Sequence, residues 1–146
     1  MPRIDYDEVA HLYDEPSRDH TLDSNLLTFL EERDTTVEAD VRLIDIGCGT
    51  GKQLAADHQR LPVACLVGID RFQAMLRIGQ KRCPSVGWIQ ADGAALPLAS
   101  ASVDYATSQF SSPTSGAHES SCQASLRRLT TARTKCPAAA LGCQRR

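Results

Sequence analysis

The chain has 146 residues, the length of one modest domain. Apolar residues make up 42%, enough for a packed core, and a net charge of −2 gives no overall pull toward nucleic acid or an anionic membrane surface. No apolar run approaches the ~20 residues that span a bilayer, and the opening MPRIDYDEVAHLYDEP is acidic and lacks the apolar stretch of a secretory signal, so the expected location is cytoplasmic.

Taken in chain order, Tyr6, Val9, Ala10 and Tyr13 stand at i, i+3, i+4 and i+7 and predict an amphipathic helix ending before Pro16. Leu22, Leu26, Leu27 and Leu30 predict a second helix. VRLIDIG (41–47) reads as a strand with apolar residues on both faces, as a buried parallel strand requires. A helix over Gly51 to Arg60 follows, with Leu54, Ala55 and Leu61 inward, then a second buried strand, VACLVGID (63–70). Phe72, Met75, Leu76 and Gly79 mark a helix that stops before Pro84, VGWIQAD (86–92) a third strand and SVDYATSQF (102–110) a fourth. Strands alternating with helices imply βαβ units with right-handed crossovers and an α/β, Rossmann-like doubly wound parallel sheet. The six cysteines include no C-x-x-C pair, and no histidine lies at ligand spacing from a pair, so free thiols are expected in place of a zinc site or disulfides.

Composition changes near Phe110. Residues 1–110 hold 17 of the 18 acids and 10 of the 16 bases, a net of −7, whereas residues 111–146 hold one acid (Glu119) and six bases, a net of +5. The second segment has no Val, Ile or aromatic residue, and its large aliphatics are Leu126, Leu129 and Leu141. It can bury too little apolar surface to offset its ordering entropy, so a largely disordered basic tail is expected beyond a folded segment of residues 1–110. Its bases are scattered and no aromatic interleaves them, which argues against a nucleic-acid surface.

Three glycines fall in five residues behind the first strand, in LIDIGCGTG (43–51). Ligands of such sheets lie beyond the carboxyl ends of the strands, where Asp45 to Gly51, Asp70 and Asp92 all fall. A P-loop fails twice, because Ile46 replaces its first glycine and Gln53 its hydroxyl residue. A dinucleotide fingerprint is off by one position, with its third glycine at 51. A ligand without phosphate fits better. Bare main chain at Gly47, Gly49 and Gly51 admits an amino-acid carboxylate and a ribose, Asp45 suits an ammonium, Asp70 can accept from a ribose diol, and Asp92 from the amine of a purine. S-adenosylmethionine carries all four groups.

LIDIGCGTG resembles motif I of class I S-adenosylmethionine-dependent methyltransferases. GID ending at Asp70 resembles the acid after their second strand, and QADGAALPLASASVDYA (90–106) their later aspartate, Leu-Pro stretch and aspartate-aromatic start of strand four. The likeness is to the small-molecule "type 11" branch, whose leading helix YDEVAHLYDE is similar to, and it covers roughly residues 5–110. The resemblance implies that Gly47, Gly49 and Gly51, with Cys48 among them, shape the loop under the methionine part. It implies that Asp45 orients the ammonium, that Asp70 with Arg71 beside it holds the ribose hydroxyls, and that Asp92 with Gly93 meets the adenine. Tyr13 is implied to help close the pocket.

Plainer readings stand beside these roles. The glycines could serve helix-on-strand packing, Asp70 could cap the helix that follows, Asp92 could open a turn with Gly93, and Cys48 could be a small loop filler. Tyr6 and Tyr13 read most simply as helix-face packing, His11, His20 and His58 as surface or packing residues, and Asp104 as the surface residue opening strand four. The family pattern stops at about Phe110 with no fifth strand, so the fold is expected to be truncated after about four strands. The Ser/Ala/Arg/Pro/Cys bias beyond it is the one expected of an out-of-frame reading or an unrelated spliced end. No catalytic base is identifiable. The expected function is methyl transfer to a small-molecule acceptor, with an inactive cofactor-binding module or regulatory isoform as the alternative and a nicotinamide oxidoreductase as a weaker third. Self-association through an uncovered sheet edge is the partner expected besides the acceptor.

Overall fold

The computed structural model describes residues 5–14, 26, 31, 41–61 and 65–108. The expected second helix therefore contributes only Leu26 and Glu31, Leu26 being buried in the core, and the expected tail, 111–146, lies outside the described residues.

Four strands, β1 (Arg42–Ile46), β2 (Cys65–Asp70), β3 (Gly87–Gln90) and β4 (Tyr105–Ser108), form one sheet in the order β3-β2-β1-β4, every pair parallel. Ile46 registers with Ile69 and Ser108, and Asp70 with Gln90. The carboxyl ends of all four strands therefore form one edge. β1 lies inside the sheet, and the strand order reverses direction at it, which is where such sheets open a ligand crevice. This is the Rossmann-like arrangement expected from the alternation of strands and helices.

Because β1 is inside the sheet, both of its faces are covered. Leu43 joins Leu54, Leu61 and Leu66 in one apolar cluster, while Ile44 and Ile46 join Val67, Ile69, Leu96 and Val103 in another. Alternate residues of one strand thus feed two cores, which is why 41–47 shows no polar alternation. Each fully buried aliphatic of this kind contributes roughly 1.5–3 kcal/mol of transfer free energy.

The first cluster lies under α2 (Lys52–Arg60), between β1 and β2, and α3 (Gln73–Arg82) joins β2 to β3. The inward face of α2 holds one residue more than the expected three. Leu54 and Leu61 are buried and the half-buried Ala55 packs against their cluster, as expected, but Asp57 is a further buried residue of the stripe. α3 ends where Cys83 N–H donates to the Gly79 carbonyl (2.8 Å), because Pro84 has no amide proton to continue the ladder. Its buried face, Met75, Leu76 and Gly79, is the one the spacing predicts.

Trp88 of β3 fixes how closely these helices approach the sheet. A Cβ on Gly51 would lie 2.2 Å from the indole, on Gly79 2.5 Å and on Gly68 2.9 Å. Three glycines from α2's start, α3 and β2 therefore leave a slot that the indole fills, and its N–H donates to the Cys83 carbonyl (3.2 Å).

Ahead of the sheet, α1 (Tyr6–Val9) tightens into a 3-10 helix at Ala10–Asp14. Asp5 caps it by accepting from the Asp7 N–H (3.0 Å). The change of pitch displaces the expected apolar face. Ala10 is buried and Tyr6 half-buried against Phe72, with ring centroids 5.0 Å apart, but Tyr13 is 47% exposed. The segment is anchored to α3 at both ends: Asp7 accepts from the Ala74 N–H (2.7 Å), and Asp14 pairs with Arg82.

Candidate functional site

Ile46 is the last residue of β1, and the loop from Gly47 to Gly51 turns back over the carboxyl edge of the sheet. Gly47, Gly49 and Gly51 have φ of +75°, +55° and +71°, a region where a side chain clashes with its own backbone. The three glycines do different work. At Gly51 both the dihedral and Trp88 demand a bare Cα, so the packing explanation holds there. At Gly49 nothing lies within 4 Å of an added Cβ. Its bareness serves the turn and leaves open space above it.

The loop is tied to its neighbour strand. Gly47 and Cys48 N–H groups both donate to the Ile69 carbonyl (2.7 and 3.1 Å), and Gly49 N–H donates to Asp70 Oδ2 (2.9 Å). Three of the loop's donors are thus already engaged with β2. Gly51 caps α2 without any side-chain hydrogen bond, and no acid stands in that helix's first turn, so its positive end is not neutralised from within the helix.

Asp70 ends β2 as expected, and its two oxygens are shared between two turns. Oδ2 holds Gly49, and Oδ1 accepts from the Phe72 N–H (3.0 Å), which fixes the entry to α3. α3 itself begins at Gln73, so Asp70 sets up the turn ahead of the helix and is not its N-cap. Each carboxylate oxygen can accept twice, so a diol can still be bound. Arg71 is exposed in this turn, its guanidinium 5.6 Å from the Phe72 ring centroid and its carbonyl accepting from Gln90 Nε2.

Asp92 lies two residues beyond β3. Its Oδ1 accepts from the Ala94 N–H (2.9 Å) and its carbonyl from the Ala95 N–H (2.9 Å), so it does open a turn containing Gly93. The link between Ala91 N–H and the Asp70 carbonyl (3.0 Å) holds this turn beside the end of β2. The glycine loop, Asp70 and Asp92 therefore converge on one edge.

Asp45 is the residue whose environment is least ordinary. It is 3% exposed, on the β1 face that carries Leu43, and among the described residues its Oδ1 accepts no hydrogen bond. Burial first, then the carboxylates of Asp57 and Asp70, push its carboxyl up to about 8. Burial, reinforced by Asp45 and Asp70, also pushes the Cys48 thiol up, so Cys48 sits in the loop as an unreactive thiol.

Two neighbours of the site escaped sequence reasoning. Asp57 sits between Leu54 and Leu61 at helical spacing, which was the available signal. Thr50, buried, donates from Oγ1 to the Tyr13 carbonyl (3.4 Å) and so links the loop to the N-terminal segment. Asp104 needs correction. It immediately precedes β4, as expected, but it is half-buried and paired with Arg42 (3.0 Å), and does not stand at the surface.

The family described as a methyltransferase domain matches residues 43–132, from β1 through β4 and past Phe110. Trans-aconitate 2-methyltransferase of Yersinia pestis (strain Pestoides F) is 44% identical over 57 residues, 39% of this chain and 22% of that protein. The protein of the same name from Acidovorax sp. (strain JS42) is 40% identical over 50 residues, 34% of this chain and 19% of that one. The SAM-bound structure of CalS10, an amino pentose methyltransferase from Micromonospora echinaspora, superposes with a TM-score of 0.63 at 21% identity, covering 89% of this chain and 54% of that one. Streptomyces venezuelae DesVI gives 0.63 at 22% identity, covering 88% and 54%. The chain thus spans about a fifth of the curated relatives' length and about half of the solved structures', whose likeness is one of fold.

Proposed function

Because the chain belongs to the methyltransferase-domain family, we propose that its carboxyl edge binds S-adenosylmethionine and that the protein transfers the methyl group to a small molecule. The observation that carries this reading is Asp45, a buried carboxyl whose Oδ1 has no partner among the described residues, two residues ahead of a glycine loop. A buried acid without a partner is costly, and a ligand ammonium supplies the missing donors and the opposite charge. The open space above Gly49 fits the same ligand, and the positive end of α2, with no acid in its first turn, suits the ligand carboxylate.

In this reading Gly47, Gly49 and Gly51 keep the methionine part close to the main chain, with Cys48 as filler. Asp70 accepts from the ribose hydroxyls while holding Gly49, so the ribose and the loop are positioned by one carboxylate. Arg71 borders that turn. Asp92 and Gly93 meet the adenine from β3, and the exposed Tyr13 ring, tied to the loop through Thr50, closes over the ligand. The cofactor, once bound, brings a methyl group on a good leaving group, so the protein's task is to orient and to exclude water. A small acceptor is supported by the relatives, which are named for trans-aconitate, and by the sugar methyltransferase neighbours.

The test is calorimetric titration with S-adenosylhomocysteine followed by transfer of labelled methyl to a panel of small carboxylic acids and amino sugars. Binding that Asp70→Ala weakens, with transfer to one acceptor class, supports the reading. Binding unaffected by Asp70→Ala contradicts the ribose assignment, and binding without transfer to any acceptor removes the transferase part.

A further inference from the structure

Asp57 has no role in the function proposed above, yet it is 2% exposed. It follows Leu54 by three residues and precedes Leu61 by four, so it lies on the stripe of α2 that packs on the sheet. Asp45 follows Leu43 by two along β1 and therefore faces the same side. Leu43, Leu54 and Leu61 belong to one apolar cluster, with Cys48 packed against it. Two carboxyl groups thus share a single helix–sheet interface, with the loop and Asp70 at its rim. Gln53 Nε2 donates to Asp57 Oδ1 (2.9 Å) and holds that side chain in place, whereas Asp45 Oδ1 has no partner among the described residues. The groups acting on Asp45 are Asp57 from α2 and Asp70 from β2, while Asp45 in turn helps keep the Cys48 thiol of the loop protonated. β4 sets Thr107, which does not titrate, opposite it.

Two carboxylates in one dry interface do not both ionise without cost, so the pair retains a proton. We infer that Asp45 holds a proton while the cradle is empty and releases it as a ligand ammonium arrives, and that Asp57 is the positioning residue that sets how readily the proton leaves. The release rests on the S-adenosylmethionine reading; the held proton and the role of Asp57 do not. The exchange balances. The carboxyl O–H bond breaks, the proton passes to solvent buffer, and the carboxylate accepts an N–H of the ammonium, with no change of oxidation state. Burial and the two neighbouring carboxylates, Asp57 before Asp70, raise the Asp45 carboxyl in agreement with this. Binding is then weaker in acid. Below about pH 8, affinity falls roughly tenfold per pH unit, because each unit adds one decade to the cost of removing the proton.

The test has two parts on the full chain. Carboxyl-carbon NMR of the free protein follows Asp45 directly. The expected midpoint is near 8, the signal is absent in Asp45→Asn, and in Asp57→Asn the midpoint drops by about one pH unit or more because a neighbouring charge is gone. Should Asp57→Asn fail to fold, Asp57→Glu retains the charge and is expected to keep the raised midpoint. Calorimetry with S-adenosylhomocysteine at pH 7, in two buffers of different ionisation enthalpy, is expected to show close to one proton released per ligand bound, and fewer with Asp57→Asn. A midpoint in the ordinary carboxylate range near 4 overturns the inference whether or not the ligand binds. Binding with no proton release overturns ligand-driven loss of the proton and leaves the proposed function standing. A raised midpoint with no binding overturns the proposed function, and with it the release. An unchanged midpoint in Asp57→Asn makes Asp57 merely structural and removes its assigned role.

Discussion

At its amino end β1 meets an acid that has partners. Asp104 Oδ2 accepts from the Arg42 backbone N–H (2.9 Å) and from its Nε (3.0 Å), and Asp104 N–H returns to the Arg42 carbonyl (2.9 Å). At its carboxyl end, three residues on, Asp45 is more deeply buried and its Oδ1 receives nothing from the described residues. One end of the strand neutralises its acid from within and so fastens β4 to β1. The other end leaves an acid under a bare loop whose compensation must come from a proton or a ligand. A structural site and a binding site thus lie three residues apart on one strand, and the difference lies in where the countercharge comes from.

The largest expected effect tests which parts of the carboxyl end are packing. Gly51→Ala meets both a left-handed φ and the Trp88 indole at 2.2 Å, so it should destabilise by about 3 kcal/mol. Gly49→Ala meets only the dihedral and should cost about 1 kcal/mol while weakening the ligand. Chemical denaturation of both variants checks this, and equal losses would remove the distinction between them.

Next comes the contrast between the two acids. Asp45→Asn should weaken S-adenosylhomocysteine by about 100-fold, as expected when a buried charge pair loses one member. Asp104→Asn should leave affinity within about twofold. Calorimetry on the two variants measures the difference, and similar losses at both would break the comparison.

The pH dependence is smaller per pH unit. The folded carboxyl of Asp45 lies above its unfolded value of 3.8, near 8, so between these values the folded chain keeps a proton that the unfolded chain has lost. The stability this contributes is complete below about 3.8 and disappears as pH rises toward 8, with a slope of about 1.4 kcal/mol per pH unit from this group. Asp45→Asn should flatten that slope in thermal melts between pH 5 and 8. The smallest effect belongs to the amino end. A double-mutant cycle on Arg42 and Asp104 should give a coupling of about 1 kcal/mol that shrinks with salt, since both side chains remain partly accessible.

Much of this architecture was legible in the residues. Apolar residues on both faces of 41–47, despite Arg42 and Asp45, and the apolar run before Asp70 at 63–70 announce strands buried on both faces, and a glycine loop with acids at the next strand ends announces the crevice, because period and strand polarity are local properties. What escaped was long-range. Trp88 meets Gly51 across 37 positions, and Arg42 meets Asp104 across 62. No local pattern marks such partners, so Asp104 read as a surface residue. Asp57 escaped for another reason. An acid on an amphipathic helix ordinarily faces water, and only its place between Leu54 and Leu61 says otherwise. A 3.6-residue period places Tyr13 on the packed face, and the tightening to a 3-10 helix at Ala10 leaves it 47% exposed, with its ring centroid 5.8 Å from that of Tyr6.

The most direct test of the central claim is a backbone amide NMR titration of the full chain with S-adenosylhomocysteine. The shifts should concentrate at Gly47, Gly49, Asp70 and Gly93, with Arg42 and Asp104 unmoved. Shifts gathered at the Arg42–Asp104 end, or spread without regard to the glycine loop, would contradict a cradle at the carboxyl edge of β1.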